Sequence, residues 1–405
     1  VRRIAPFVTA AAALAVAAFG AQVLLADCGG PAGRQGGPSP SGPATATGTA
    51  TPGPLPLIRD GAPMPTIGPH GPPSITPAVE TELFPESTGD QADDAAIWRN
   101  PAHPERSFVL ADDKSDSGGV AVYRLDGSLA HDERTGKIGN IDLRDGVRLG
   151  DRTVVLVGAN DRSTNTLRFW TLDPDDGRLT PVEAGQLSSL APNYGFCLGR
   201  DASSRHLYAF VSAEEAGSFE QYELSLTSGR VGALKVRAFD VGSQAEGCVV
   251  DDSTGALYVG EEDVGLWRYD VAPSTGAART AIDRAGPGGH LTADVEGVTA
   301  ARGRDGRGYL IVSSQGDSTF AVYDLDGGHA YRGSFQVRHG KGSAVDDVTE
   351  TDGLAMAAGG FGPAFPNGLL VVHDAVNHED DGSEARCSNL KFARLDHVVA
   401  LAPPP

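Results

Sequence analysis

A unit of about fifty residues recurs six times along this chain, and no other feature limits the fold so strongly. Each copy opens on a short polar pair and an apolar strand. A turn, a second apolar strand with a polar or acidic exit, another turn and an aromatic-rich third strand follow. The copies begin at Asp93 (DDAAIW), Ile141 (IDLR), Tyr194 (YGFCL), Glu246 (EGCVV), Glu296 (EGVTA) and Asp352 (DGLAM), in steps of 48, 53, 52, 50 and 56 residues. Second strands follow in register as SFVLADD, TVVLVGAND, LYAFVSAEE, ALYVGEED, YLIVSSQGD and LLVVHDAVN. Third strands read GVAVYRLDG, TLRFWTLDP, SFEQYELS, GLWRYDVA, TFAVYDLDG and LKFARLDHV. Strands this short, with few helix-period segments, predict an all-β chain. Four strands per unit of this size make a propeller blade, so six units predict a six-bladed β-propeller. Segments such as VRAFDV and SFQVR supply most fourth strands. AVETELF at 78–84 is expected to supply that of the sixth blade and close the ring, which protects edges that otherwise pair between molecules. No linker-like stretch breaks the series between 93 and 374, which argues against two separate β domains.

Ahead of the repeats the chain is of a different kind. Residues 1–28 read as a secretory or lipoprotein-type signal, a basic VRR followed by a charge-free apolar run. LLADC ending at Cys28 resembles a lipobox with Asp27 where a small residue is usual, so export is expected and a lipid anchor at Cys28 stays open. Residues 29–77 are dominated by Pro, Gly, Ser, Thr and Ala. Such a segment cannot bury enough apolar surface to offset its ordering entropy and is expected to be a disordered linker. The folded domain is expected over 78–401, as a monomer. No Cys/His spacing for zinc occurs. Cys197 and Cys248 hold near-equivalent positions in neighbouring repeats, which predicts a disulfide between them in an exported protein; Cys387 is expected to be free.

The net charge of −20 argues against nucleic acid and anionic membranes as partners and favours cations, or anions that arrive with cations. Adjacent strands of a blade run antiparallel, so first-strand starts and second-strand exits share one end. Six copies around a ring gather at one channel mouth Asp93, Asp94, Asp112, Asp113, Asp142, Glu214, Glu215, Glu246, Glu261, Glu262, Asp263, Asp294, Glu296, Asp317, Asp346, Asp347, Asp352 and Asp374. A single acid in a turn is ordinarily solvated or capping. A whole set at one rim repels itself unless cations sit within it. Ligands that are all oxygen suit Ca²⁺ or Mg²⁺, and Ca²⁺ accepts six to eight oxygens in flexible geometry. Lys114 and Arg162 stand at equivalent second-strand exits of neighbouring repeats, and Tyr194 opens the third. Each alone suits a surface ion pair. Together they suit an anion, such as phosphate, bridging to bound cations.

The stretches GDQADDAAIWRNPAHPERS, GGVAVYRLDG, FEQYEL, KVRAFDVGSQAEG, GEED, DVEGVTA, GYLIVSSQGDSTFAVYDLDG and ETDGLA, in this order from Val79 to Val376, resemble the calcium-dependent β-propeller phytases, or alkaline phytases. The resemblance implies a secreted phosphomonoesterase of 3-phytase type that acts on phytate (myo-inositol hexakisphosphate) with several Ca²⁺ ions. Carried over by position, it implies catalytic roles for Lys114, Arg162, Tyr194, Glu246, Asp294 and Glu296, and substrate contacts from Lys114, Arg162, Tyr194 and Gln315. It implies calcium ligation near the phosphate by Glu246, Glu261, Glu262, Asp294 and Glu296, and structural calcium ligation by Asp94, Asp346, Asp352 and Asn377. The family carries Lys at the second-strand exit of the third repeat. Glu214 stands there instead, so a phosphate-binding cation is lost or supplied elsewhere.

Three rival readings remain on the sequence. RHG at 338–340 and HD at 373–374 resemble pieces of the histidine acid phosphatases, but RHG continues as KGSA and the surrounding pattern is all-β. A calcium-dependent lactonase or esterase propeller would need the metals but not Lys114 and Arg162. A non-catalytic propeller would use the acidic rim only to bind a ligand.

Overall fold

The computed structural model describes residues 71–84, 89, 91–303, 306–343, 345–378, 384–385 and 387–401. The expected signal, and the expected linker up to residue 70, lie outside the described residues. Six sheets follow one another in chain order, each a blade. Their first strands are Ala92–Trp98, Ile138–Leu149, Asn193–Arg200, Cys248–Asp251, Val295–Arg302 and Leu354–Ala358. Their second strands are Phe108–Asp113, Arg152–Asp161, Leu207–Ala213, Ala256–Glu261, Gly308–Ser314 and Gly368–Asp374. First and second strands pair antiparallel in every blade. Every residue of Phe108–Asp113 and Gly368–Asp374 is buried, because a middle strand has a neighbouring blade on each face. That is why these strands read as continuous apolar runs rather than as alternation.

Apolar surface is buried between blades, in six packets. One, holding Phe84, Tyr123, Phe361, Phe365 and Phe392, joins the sixth blade to the first and closes the circle. Hydrogen bonds close it too. Pro77–Glu80 pairs antiparallel with Asn389–Arg394 as the outer strand of the sixth blade, with Val79 opposite Phe392 and Glu80 opposite Lys391. Ser74–Ile75 adds a parallel strand to Tyr331–Val337 at the edge of the fifth blade. Strand pairing thus starts ahead of 78, inside the stretch expected as linker. Outer blade edges offer unpaired backbone groups, and Ile75 is buried against the fifth and sixth blades, so a composition poor in core residues still docks there.

The inner strands carry a repeated irregularity that shapes the channel mouth. In blades one, two, three and five, the start of the first strand bulges by one residue against the second: Ala92 faces Asp113 while Ala95 faces Ala111, and Val295 faces Ser314 while Val298 faces Val312. The bulges fall on Asp93–Asp94, Gly139–Asn140, Tyr194–Gly195 and Glu296–Gly297. A bulge re-aims side chains out of the pleat. This register moves the start of the second repeat from Ile141 to Gly139, so Asp142 sits deeper in the channel than its expected place at the mouth.

Glycine then lets the blades meet. A Cβ on Gly195 would stand 2.2 Å from the Glu246 carbonyl oxygen, and one on Gly247 would stand 2.1 Å from that of Glu296. The glycine that follows Tyr194 or Glu246 in one repeat is therefore the seat for the acid of the next.

Cys197 and Cys248 are joined in a disulfide with Cα atoms 5.7 Å apart, linking the inner strands of blades three and four as expected. Cys387 is also disulfide-bonded, against the expectation of a free thiol. Its repeat position carried no pairing signal, because the segment around it interrupts the sixth blade rather than repeating. The Cys197–Cys248 bond closes a loop with a sequence separation of 51 residues. On chain-entropy grounds its removal costs about 4 kcal/mol. The Cys197→Ser/Cys248→Ser double variant should melt several degrees below the parent in calorimetry; an unchanged midpoint would show the bond to be incidental to stability.

Candidate active site

Two rings of six positions meet at the channel mouth. The inner ring occupies the strand starts: Asp93, Gly139, Tyr194, Glu246, Glu296 and Asp352. The outer ring follows each second strand. There the N–H groups of Lys114, Arg162, Glu214, Glu262, Gln315 and Ala375 each donate to a carbonyl just ahead of the same blade's first strand, at 2.8–3.2 Å. The repeated hydrogen bond makes these six positions equivalent, and it places Glu214 at the third. The rings are polarised. The outer-ring cations sit on blades one and two, and the acids on blades three and four.

On the acidic side, Glu246, Glu262 and Glu296 each present an oxygen within 4.8 Å of the others. Burial drives the Glu246 and Glu296 carboxyls well above the usual range, with Asp93 first among the charges adding to Glu246 and Glu246 first among those adding to Glu296. Burial also pushes Glu262 up to about 7, opposed by a hydrogen bond from Gln244 and reinforced by Asp294 and Asp263. Glu262 Oε1 and Glu296 Oε2 are buried with no hydrogen-bond partner among the described residues. Asp294 is held at φ +79°, a conformation disfavoured for a residue with a Cβ, between the Glu262 carbonyl and the Gln315 N–H. Such a set of converging, under-satisfied carboxylate oxygens fits a hard divalent cation.

On the basic side, Lys114 Nζ lies 3.2 Å from Asp93 Oδ1 and 3.1 Å from Asp352 Oδ2. Gln315 donates its amide to the other oxygen of Asp352. Arg162 lies 4.7 Å over the Tyr194 ring and 2.6 Å from Glu214 Oε1. Burial, then the charges of Glu246, Glu296 and Glu262, raise the Tyr194 hydroxyl far above its ordinary value, so it stays a proton donor. Lys114, Arg162, Tyr194, Gln315, Glu246, Glu262, Asp294, Glu296 and Asp352 are thus brought to one mouth.

Other expected residues are not at this mouth. Glu261, one position before Glu262, faces the opposite side of its strand, where Ser243 and the Trp267 indole each donate to it at 2.7 Å. Asp94 points into the channel, buried and raised by that burial, with its amide on Asp112 Oδ1 at 2.7 Å. Asp142 is bound by Arg144 at 2.8 Å within the channel. Asp113 pairs with Arg134, and Asp347 with Arg338 and His339. Asp346, Asp374 and Asn377 converge on Lys391. His373 is fully buried and accepts from the Asp352 N–H, so neither half of the histidine-phosphatase resemblance forms a phosphate site here.

Two residues were missed. Asn140, with its amide nitrogen turned to the channel, donates to Glu246 Oε1 at 3.2 Å and to the Tyr194 carbonyl at 3.1 Å. Asn160 donates to the same carbonyl at 2.7 Å and accepts from the Asn140 N–H. Both fall in quoted or adjoining repeat strings (IGN and AND). The signal that would have found them is the bulge register, which aligns Asn140 with Asp94.

The chain matches the family described as Phytase over residues 70–401. A 3-phytase of Bacillus subtilis strain 168 is 36% identical over 328 residues, spanning 79% of this chain and 84% of that protein. Solved structures are similar at greater distance. A Lactobacillus plantarum protein aligns with a TM-score of 0.43 and 14% identity over 77% of this chain and 90% of its own. A chain of a nidogen/laminin complex aligns with a TM-score of 0.41 and 12% identity over 62% and 81%. At those scores neither carries an argument, and the six blades rest on the strand order of this chain.

The acid cluster makes stability depend on pH in a definite direction. Without metal, a carboxyl raised from 4.5 to about 7 in the fold, as Glu262 is, stabilises below about pH 4.5 and loses that contribution as pH rises through about 7. A bound cation requires the deprotonated form. The melting temperature in EDTA should therefore fall between about pH 5 and pH 8, and its gap to the value in millimolar-range calcium should widen. A gap that is absent or constant across that window would exclude this cluster as a calcium site.

Proposed function

The chain belongs to the phytase family, and we propose that it is an exported, calcium-dependent enzyme that releases phosphate from phytate at the polarised mouth of the propeller. The observation that carries this reading is the meeting of Lys114, Arg162 and Tyr194 with the Glu246, Glu262 and Glu296 oxygens at one rim. The related Bacillus protein is named a 3-phytase, which supports the same type of activity here. The disulfide between Cys197 and Cys248 supports an oxidising compartment and hence export. Among the described residues, no helix is long and apolar enough to cross a membrane.

Each side chain has a part that follows from its place. Glu246, Glu262 and Glu296, with Asp294, would hold calcium beside the substrate phosphate. Bound there, calcium supplies Lewis-acid polarisation of phosphoryl oxygens and a water of lowered pKa. Lys114 and Arg162 supply fixed positive charge to the non-bridging oxygens, where charge builds during transfer. Tyr194 keeps its proton and donates from within the carboxylate group. Asp93, Asp352 and Gln315 hold Lys114 in the mouth between two blades. Asn140 and Asn160 tie down the strand start that carries Tyr194. Asp94 and Asp352 remain proposed structural calcium ligands, and Glu261 a more remote one. No nucleophilic Ser or Cys is required. The protein carries −20 and phytate is multiply anionic, so the two associate through cations. Phosphate release from phytate should occur in calcium and cease in excess chelator; activity that persists in chelator would overturn the assignment.

Glu246→Gln and Glu296→Gln keep size and remove charge. Either should lower phosphate release on the order of 100-fold while the circular dichroism spectrum is kept. His339→Ala should leave turnover unchanged, since His339 is exposed and among the described residues engages only Asp347. Loss of hydrolysis on His339→Ala, with Glu246→Gln active, would instead indicate histidine-phosphatase chemistry.

Glu214 spends the charge of Arg162 at 2.6 Å. Glu214→Lys releases that arginine and adds a second cation at the third outer position. Steady-state kinetics should give a several-fold higher kcat/KM on phytate; a lower value would mark Glu214 as a calcium ligand in its own right.

A further inference from the structure

Asp346 and Asn377, which the family resemblance implies to be structural calcium ligands, do not fit that role in this chain. The Lys391 side chain stands among them, fully buried. Its Nζ donates to Glu80 Oε2 at 2.6 Å and to Asn377 Oδ1 at 2.7 Å. It also lies 2.5 Å from Asp346 Oδ1 and 3.3 Å from Asp374 Oδ2. These four oxygens come from three segments: the N-terminal closing strand, the loop before the sixth blade, and the exit of that blade's second strand, which supplies both Asp374 and Asn377. An ammonium has three donors and no acceptor, so a cage made only of oxygen acceptors suits it. Calcium needs six to eight oxygens at about 2.3–2.6 Å. A metal cannot share these atoms while Nζ occupies their centre.

We propose that Lys391 is a built-in cation that takes the place of a structural metal ion at the seam where the propeller closes, so that this seam holds without calcium. The location gives the substitution its effect. Lys391 sits on the third strand of the sixth blade directly opposite Glu80, in the only strand pair among the described residues that joins the N-terminal segment to that blade. Removal of one partner of a buried ion cluster leaves the others uncompensated, which is strongly destabilising. Hence the cage demands a positive charge, and the chain supplies it covalently. At the active mouth Lys114 engages Asp93 and Asp352, but among the described residues no ion pair ties a Lys or Arg to Glu246, Glu262 or Glu296, and of the two places calcium is proposed only there. The inference concerns the seam and does not depend on the reaction at the mouth.

The test counts ions and reads stability, with Ca²⁺ as the probe. Equilibrium dialysis at saturating calcium should give the same number of ions per chain for the parent and for Asp346→Asn. Lys391→Gln should bind one ion more than the parent. Its melting temperature in EDTA should fall below that of the parent, and calcium should restore more of it than in the parent. Loss of one ion in Asp346→Asn would overturn the proposal, because a metal would then already use that carboxylate. A folded Lys391→Gln protein that gains no ion and is not restored by calcium would overturn it as well. If Lys391→Gln fails to fold in either condition, the Asp346→Asn count decides alone. Phytate hydrolysis is not a readout, so failure here is separable from failure of the proposed activity.

Discussion

Inner strands of neighbouring blades approach one another more closely than side chains would allow. Gly195 is seated on Glu246, Gly247 on Glu296, and Gly353 against Asp93 and Asp94 across the closing seam. Because these blades meet at their backbones, the side chain beside each glycine (Tyr194, Glu246 or Asp352) is carried close to the acid on the next blade. The carboxylates of Glu246 and Glu296 face each other for this reason; burial holds both above the ordinary range, reinforced by Asp93 and Asp352 at Glu246 and by Glu246 and Glu262 at Glu296. A site that stores such repulsion is relieved by protons at low pH or by a cation at higher pH. The proposed calcium chemistry follows from that alternative.

The same packing explains how an acidic protein can receive a polyanion. The two rings at the mouth are equivalent by hydrogen bonding but not by charge. Lys114 and Arg162 occupy two adjacent outer positions, and acids occupy the next two. Tyr194, at the boundary, stacks under Arg162 and sits within the field of Glu246, Glu296 and Glu262. A phosphate placed there meets fixed positive charge on one side and cation-holding oxygens on the other. Glu214 shifts this balance toward acid at the third position, and its ion pair with Arg162 makes the arginine available only to a competitor of higher charge.

Closure of the ring uses three kinds of force. Backbone hydrogen bonds add Pro77–Glu80 to the sixth blade, an aromatic packet around Phe361 and Phe392 fills the gap to the first, and Lys391 gathers four oxygens at the seam. The disulfide ties blades three and four, on the strand that carries Tyr194 and the strand that follows Glu246. Covalent and ionic fastenings thus lie both beside the mouth and at the seam.

The repeat alone determined the blade count, the order of the strands and the use of AVETELF as the closing strand, because period and apolar runs are local properties of the chain. It also placed Lys114, Arg162, Tyr194, Glu246 and Glu296 at one mouth, and paired Cys197 with Cys248, because equivalent positions in a closed ring must lie at equivalent places. Tertiary structure decided the finer points. A bulge of one residue moved the second repeat to Gly139, placed Asp142 deep in the channel and brought Asn140 to Glu246. Strand alternation separated Glu261 from Glu262, though the two are adjacent in sequence. Lys391 lay in a strand with no acidic signature, and its partners come from residues up to 311 positions away. A one-residue change of register reverses which face a side chain occupies, and a buried ion pair depends on distant segments meeting, so neither is written in local pattern.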